Sequence, residues 1–304
     1  MSSQNQPKMT KAERTAAARE QARLIREAAA KKQKRNGWLI RGGVLVAVVA
    51  IIAVVALIVV TNMQNNAPIA DKGPVPANMN TYGGAVIGKD GKLIPPAQAA
   101  GDVDKTTISA LPTAAPTAMT DLSGIGVAAT AKGKPVQVVI YLDFMCPFCN
   151  DFEKTNSTVL KDLANAGSIT YEYRPITILD SSSAGTNYSS RAAAAAAAVA
   201  ATAPDKYVDF VGKLYENQPQ ENSTGLTNDQ LKQFAKDLGA NIDSAVDSRT
   251  YRPLVAYTNQ LALAHGLKGT PTILVDGQTY QGTSQTNYSD FKDFVQSVIT
   301  AKNK

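Results

Sequence analysis

The strongest constraint on this chain is what surrounds its only two cysteines, Cys146 and Cys149. Ahead of them runs "PVQVVIYLDF" (residues 135–144), a β-branched apolar stretch of strand length. Behind them "NDFEKTNSTVLKDLANAG" places Phe152, Val159, Leu160 and Leu163 at helical spacing and Gly167 where a helix stops. "SITYEYRPI" then alternates as a strand. Strand, CxxC, helix, strand is the opening of a βαβ unit, and it sets Cys146 at a helix N-terminus.

That position has chemical consequences. The unpaired N–H groups of a helix start favour an anion, so a cysteine there deprotonates more easily, and the thiolate is the nucleophile in disulfide exchange. Pro147 suits the first turn because its missing N–H would have no partner there. Cys149, one turn further in, is placed to resolve a mixed disulfide from within. A structural bridge between the two would close too short a loop to restrain the unfolded chain. Structural zinc wants four Cys or His ligands, whereas this chain has two Cys and one His. A soft-metal carrier built on Cys146, Cys149, Met145 or His265 stays open, with copper its natural cargo. His265, in "ALAHGLKG", otherwise reads as the C-terminal residue of a helix that stops at Gly266.

Charge divides the chain. Residues 1–41 hold eleven Lys/Arg against three Glu, a net of +8; since the whole chain is +6, the remainder carries −2. Directly after this tail, residues 42–60 ("GGVLVAVVAIIAVVALIVV") contain no charge. Nineteen helical residues reach about 29 Å, close to the roughly 30 Å of a bilayer core. The sequence therefore predicts a basic tail over 1–37 and a single transmembrane helix over 38–61, with Trp38 anchoring one interface. Because Lys and Arg crowd only the first flank, the N-terminus is expected in the cytoplasm and the rest outside. The tail reads as a helix that fixes topology and meets anionic headgroups. A nucleic-acid arm is conceivable from charge alone, but no nucleic-acid partner is expected.

Residues 62–119 read as an extracytoplasmic linker. Within it, "GGAVIGKDGKLIP" (residues 83–95) has two apolar runs flanking Lys89-Asp90-Gly91, which is hairpin turn chemistry. Residues 180–266 read as helical: "SSRAAAAAAAVAATA", "DKYVDFVGKLYEN" and "TNDQLKQFAKDLG" have helix propensity, apolar spacing and a Thr/Asn cap respectively. Near the C-terminus "LKGTPTILVDGQTYQG" opens a strand at Thr272 and turns at Asp276-Gly277. A last helix is expected from about residue 288 to 301.

"FMCPFC" after a strand, "GTPT" opening another, and the helices between resemble the DsbA-like thioredoxin-fold thiol-disulfide oxidoreductases, and among them the membrane-anchored members of Gram-positive bacteria. The resemblance covers roughly residues 120–302. It implies an α/β thioredoxin fold with an inserted helical domain, here preceded by one transmembrane helix. It also implies that Pro271 is cis, that Thr270 offers its backbone to a substrate chain, and that Cys146 is the exposed attacking or attacked sulfur with Cys149 resolving. Pro147 and Phe148 then shape the active-site loop. The redox-active Cys146–Cys149 disulfide takes the place of any cofactor or metal. The implied partners are unfolded exported proteins with cysteines and a quinone-linked membrane protein that reoxidises the pair. Isomerases of this fold commonly dimerise through an extra domain; this chain has only a tether and hairpin, so a monomeric oxidase is expected.

Two positions depart from well-known members. Phe148 stands where the strongly oxidising type has a His, which points to a potential between about −120 mV and about −270 mV. Ile140 stands six positions before Cys146, where many thioredoxin-like proteins bury a carboxylate that moves protons. Asp143 is the nearest acid, either taking that role or serving as a solvated cap at the strand end.

Overall fold

The structure, a computed structural model, describes residues 10–108, 119–282 and 287–304, with the side chains of residues 35, 37, 39–41, 57, 58, 61 and 62 also outside the description. The Thr/Pro-rich part of the expected linker, residues 109–118, lies outside it. The chain divides into two units, Met1–Gln64 and Asn65–Lys304.

The described part of the first unit is helix α1 (Lys11–Asn66), whose last two residues belong to the second. Its start is a capping box: the Thr10 hydroxyl accepts from Glu13 N–H at 3.3 Å, and Thr10 N–H donates to the Glu13 carboxylate at 2.7 Å. Arg23 bonds Glu20 and Glu27 one turn to either side. Further along, Val44, Leu45 and Ile51 are each more than half exposed. Among the described residues, no helix is long and apolar enough to cross a membrane. The uncharged run expected to span one, residues 42–60, lies inside α1.

The second unit runs β1 (Lys72–Pro74), β2 (Ala85–Ile87), β3 (Asp102–Asp104), β4 (Val136–Leu142), α2 (Pro147–Asn165) and β5 (Ile169–Pro175). A helical insertion follows: α3 (Tyr188–Thr202), α4 (Tyr207–Glu216), α5 (Asn228–Asp237), α6 (Asp243–Asp247) and α7 (Arg252–Ala264). The chain closes with β6 (Thr272–Val275), β7 (Gln278–Tyr280) and α8 (Phe291–Asn303). Five strands form one sheet in the order β2-β5-β4-β6-β7, in which only β4 and β5 are parallel. β1 and β3 pair separately.

β4 is central and covered on both faces, so it is apolar without a break. Alternation along it divides two cores. Val136, Val138, Ile140 and Leu142 pack with Phe152 and Leu160 of α2 and Phe291 and Val295 of α8; Val139 and Tyr141 pack with Ile125, Ala262 and Leu274 on the other face. α3 sits in the middle of the insertion, touching α4, α5, α6 and α7. Its alanines are buried almost all round, because a helix without bulk lets several others approach it closely.

The stretch expected as linker and hairpin does more than connect. Lys89–Gly91 makes the expected turn, but the hairpin closes through a single bridge, Ile87 to Leu93. Its first arm, β2, instead bonds along the edge of β5. Ala85 and Ile87 are fully buried there. What holds this segment is an ion pair beneath it: Arg174 donates from Nε to Glu172 at 2.6 Å and from Nη1 to Ile125 O and the Tyr141 hydroxyl, while Asn80 donates to Glu172 at 2.7 Å. Gly84 passes so close that a Cβ would lie 1.6 Å from Glu172 Oε1.

Candidate active site

Cys146 is the N-cap residue of α2 and Pro147 its first helical residue. Cys146 Sγ–H donates to the carbonyl oxygen of Thr270 at 3.3 Å, and the Thr270–Pro271 peptide bond is cis. Residues 124 positions apart are thus brought into contact, because β6 pairs with β4 and its start lies beside the end of β4 that leads into the cysteines. Both cysteines are free thiols and both are buried, so Cys146 is not the exposed sulfur that was expected: the Thr270 carbonyl lies over it.

Their environments differ in a useful way. The hydrogen bond from the Cys149 thiol lowers the Cys146 thiol to about 7 against the opposing effect of burial, and the Thr270 side chain and the N–H groups of Cys149 and Phe148 act in the same direction. Burial pushes Cys149 well up, and the bond it gives to Cys146 holds its proton further. The pair therefore offers one thiolate at the helix tip and one thiol behind it.

The loop is fixed from the insertion. Gln218 Nε2 donates to Cys146 O at 2.8 Å and Phe144 O at 3.2 Å, and Asn150 Nδ2 donates to Gln218 Oε1 at 3.0 Å and Tyr215 O at 3.2 Å. The Tyr215 hydroxyl reaches Asp143 O at 3.3 Å. Gln218, Asn150 and Tyr215 were not legible as site residues: the first lies in a polar loop with no periodicity, and none belongs to a motif. A pattern search has no handle on a side chain whose function is to bond a distant carbonyl.

Asp143 is fully buried, so it is not a solvated acid. Its Oδ1 accepts from Met145 N at 2.9 Å and from Ser189 Oγ of α3 at 2.6 Å, and its Oδ2 accepts from Leu179 N at 2.9 Å. Burial raises its carboxyl to about 6 despite these three bonds. Asp143 is a strut between the loop and the insertion. Its backbone also bonds the Cys149 thiol.

Phe148, 38% exposed, stands at the mouth of a groove of about 600 Å³ whose walls include Thr270, Pro271, Tyr280 and Tyr288. His265 ends α7 and shares a 3.0 Å hydrogen bond between Nδ1 and Thr120 O. Among the described residues, no group of three or more His, Cys, Asp or Glu is placed to hold a metal ion.

A dithiol at a helix start facing a cis-proline, on a sheet with inserted helices, has relatives. Residues 129–297 match the thioredoxin family, and the chain belongs to it. Over 176 residues it is 26% identical to disulfide bond formation protein D of Bacillus subtilis (strain 168), which covers 55% of this chain and 74% of that protein. The oxidised BdbD structure from Bacillus subtilis shares the fold with a TM-score of 0.50 at 20% identity, covering 75% of this chain and 99% of that one. Reduced DsbA from Mycobacterium tuberculosis is 25% identical over 58% of this chain and 95% of its own, with a TM-score of 0.46. Within the family the chain is a thiol-disulfide oxidoreductase of the DsbA-like type.

Proposed function

We propose that this enzyme is a dithiol oxidase that introduces disulfides into exported proteins, with Cys146 exchanging and Cys149 resolving. The observation that carries the reading is the asymmetry of the pair: Cys146 titrates near 7 at a helix tip and Cys149 stays protonated behind it. A thiolate stabilised in the reduced state makes the disulfide the more oxidising partner. A substrate thiolate attacks Cys146 Sγ of the disulfide, and Cys149 leaves. The substrate's second thiolate then attacks the mixed disulfide and displaces Cys146. Thr270 and cis-Pro271 form the wall against which the substrate chain lies, and Phe148 is the apolar lip of the groove. Phe148 sets a milder potential than a His there would.

The relative's name, a disulfide bond formation protein, supports the oxidising direction. The uncharged run after the basic tail supports a single-pass anchor with the N-terminus cytoplasmic and the catalytic unit outside the membrane. In that setting the reduced pair needs an electron acceptor, and a quinone-linked membrane protein fits. The protein works as a monomer.

The test is the equilibrium of Cys146–Cys149 in a glutathione buffer, with reoxidation of a reduced two-disulfide protein as the activity. The expected potential lies between about −120 and −270 mV, and Cys146→Ser abolishes reoxidation. A potential at the thioredoxin end makes the enzyme a reductase. Equal activity of Cys146→Ser and the unaltered chain sinks the thiol mechanism, and tight copper binding without exchange favours the carrier.

A further inference from the structure

The catalytic unit has four arginines, Arg174, Arg191, Arg249 and Arg252. Arg174 is paired with Glu172; among the described residues none of the other three forms an ion pair. Arg191 lies on α3, Arg252 opens α7, and Arg249 is in the turn before it, its carbonyl accepting from Arg252 N–H at 3.1 Å. α3 and α7 pack against each other. Arg191, 6% exposed, is satisfied by neutral groups: the carbonyls of Thr186, Thr224 and Leu226 and the side chain of Asn228. Arg252 is 4% exposed, and its guanidinium makes no hydrogen bond among the described residues. Arg249 donates from Nη2 to Ala67 O at 2.7 Å, but its Nε, like that of Arg252, is buried without a partner.

A buried guanidinium is stable only when an opposite charge and hydrogen-bond acceptors surround it. Asp180 is the acid that faces Arg252 and Arg191, and both its oxygens already accept from Ser190, one from the N–H at 2.9 Å and one from the hydroxyl. Burial pushes Arg252 down to about 10; Asp180 draws it up, and Arg249 and Arg191 press it down. It is still a cation at neutral pH. Three arginines against one carboxylate leave an excess of two positive charges, with two buried N–H donors and nothing to receive them.

We propose that Arg249 and Arg252 are a binding site for a phosphate group, presented by the headgroup of an anionic phospholipid. Phosphate supplies the missing negative charge, and its several oxygens accept from both N–H groups at once, for which the planar guanidinium is the best-suited side chain. The membrane is the nearest source. Arg249 also holds Ala67, six residues past the run proposed to anchor the chain, and six residues reach at most about 20 Å. The lipid source rests on that anchor; the phosphate site does not, and neither rests on the redox pair.

The experiment uses the full chain in dodecyl maltoside and reads its thermal midpoint in potassium chloride and in potassium phosphate at equal ionic strength. Two further arms add dioleoylphosphatidylglycerol or, at the same charge, oleate, which lacks phosphate. The unaltered chain is expected to melt higher in phosphate than in chloride, and higher with phosphatidylglycerol than with oleate. Arg252→Met removes an unpaired buried charge, so it should melt above the unaltered chain in chloride and gain nothing from phosphate. That crossing separates a ligand site from a structural arginine. Arg249→Gln is expected to weaken phosphate binding, followed by calorimetric titration, on the order of tenfold, the worth of one hydrogen bond to a charged group. An Arg252→Met chain that melts below the unaltered chain in chloride and phosphate alike overturns the proposal. Where that variant does not fold, the absence of calorimetric phosphate binding to the unaltered chain overturns it instead. Stabilisation by free phosphate with no gain from phosphatidylglycerol over oleate overturns the lipid as the source.

Discussion

At the scale of residues, Cys146 shows how a helix start and one neighbour tune a thiol. Its folded value near 7 lies below the ordinary cysteine range of about 8.5, so the stabilisation of the reduced form is present above the unfolded value and is lost as pH falls through about 7. Iodoacetamide labelling of the reduced protein should follow a single titration centred near 7 at Cys146, with Cys149 unlabelled until the protein unfolds; equal labelling of both sulfurs contradicts the asymmetry. Asp143 has the opposite linkage. Its folded value near 6 exceeds the unfolded value of about 3.9, so its contribution is full below pH 4 and declines as pH rises through 6. Asp143→Ala orphans Met145 N–H, Leu179 N–H and the Ser189 hydroxyl, a loss of roughly 2–4 kcal/mol once relief of the buried charge is subtracted. Urea unfolding should show a larger deficit at pH 5 than at pH 7.5, and a deficit independent of pH contradicts the assignment.

Among elements, the cysteine-bearing strand and helix were readable because each shows its own period. β4 runs Val136–Leu142 and α2 runs Pro147–Asn165, close to the stretches marked by apolar spacing. The capping box of α5, Thr227 with Gln230, sits at the expected Thr/Asn start. β2 was legible only as the arm of a hairpin, since three residues carry no sign of which edge they will join. Its place depends on Glu172 and Arg174, buried charges that look like solvent-facing alternation in "TYEYRPI". Gly84→Ala drives a Cβ into Glu172 and should cost roughly 3–5 kcal/mol, as breaking a buried pair does. A thermal melt unchanged by this substitution rules out that packing.

For the whole molecule, the arrangement is a catalytic unit, Asn65–Lys304, and a helical unit before it. The catalytic unit contains both cores and the whole of the site, so residues 65–304 expressed alone should fold and exchange thiols at the rate of the full chain. The proposed anchor gives a separate expectation: the full chain should resist carbonate extraction from membranes and residues 65–304 should remain in solution. Release of the full chain by carbonate removes the anchor without touching the chemistry.

By itself the sequence determined the CxxC pair at a helix start, the strand and helix that present it, the charge division and the helical insertion, because all of these are written in local spacing of residue types. The tertiary structure alone decided what surrounds the pair. That Thr270 O meets Cys146 Sγ, that Gln218 and Ser189 brace the loop from the insertion, and that Asp143 is sealed are contacts across 46 to 124 residues or questions of burial. A linear pattern carries neither, because burial and long-range partnership exist only once strands have paired and helices have packed over them.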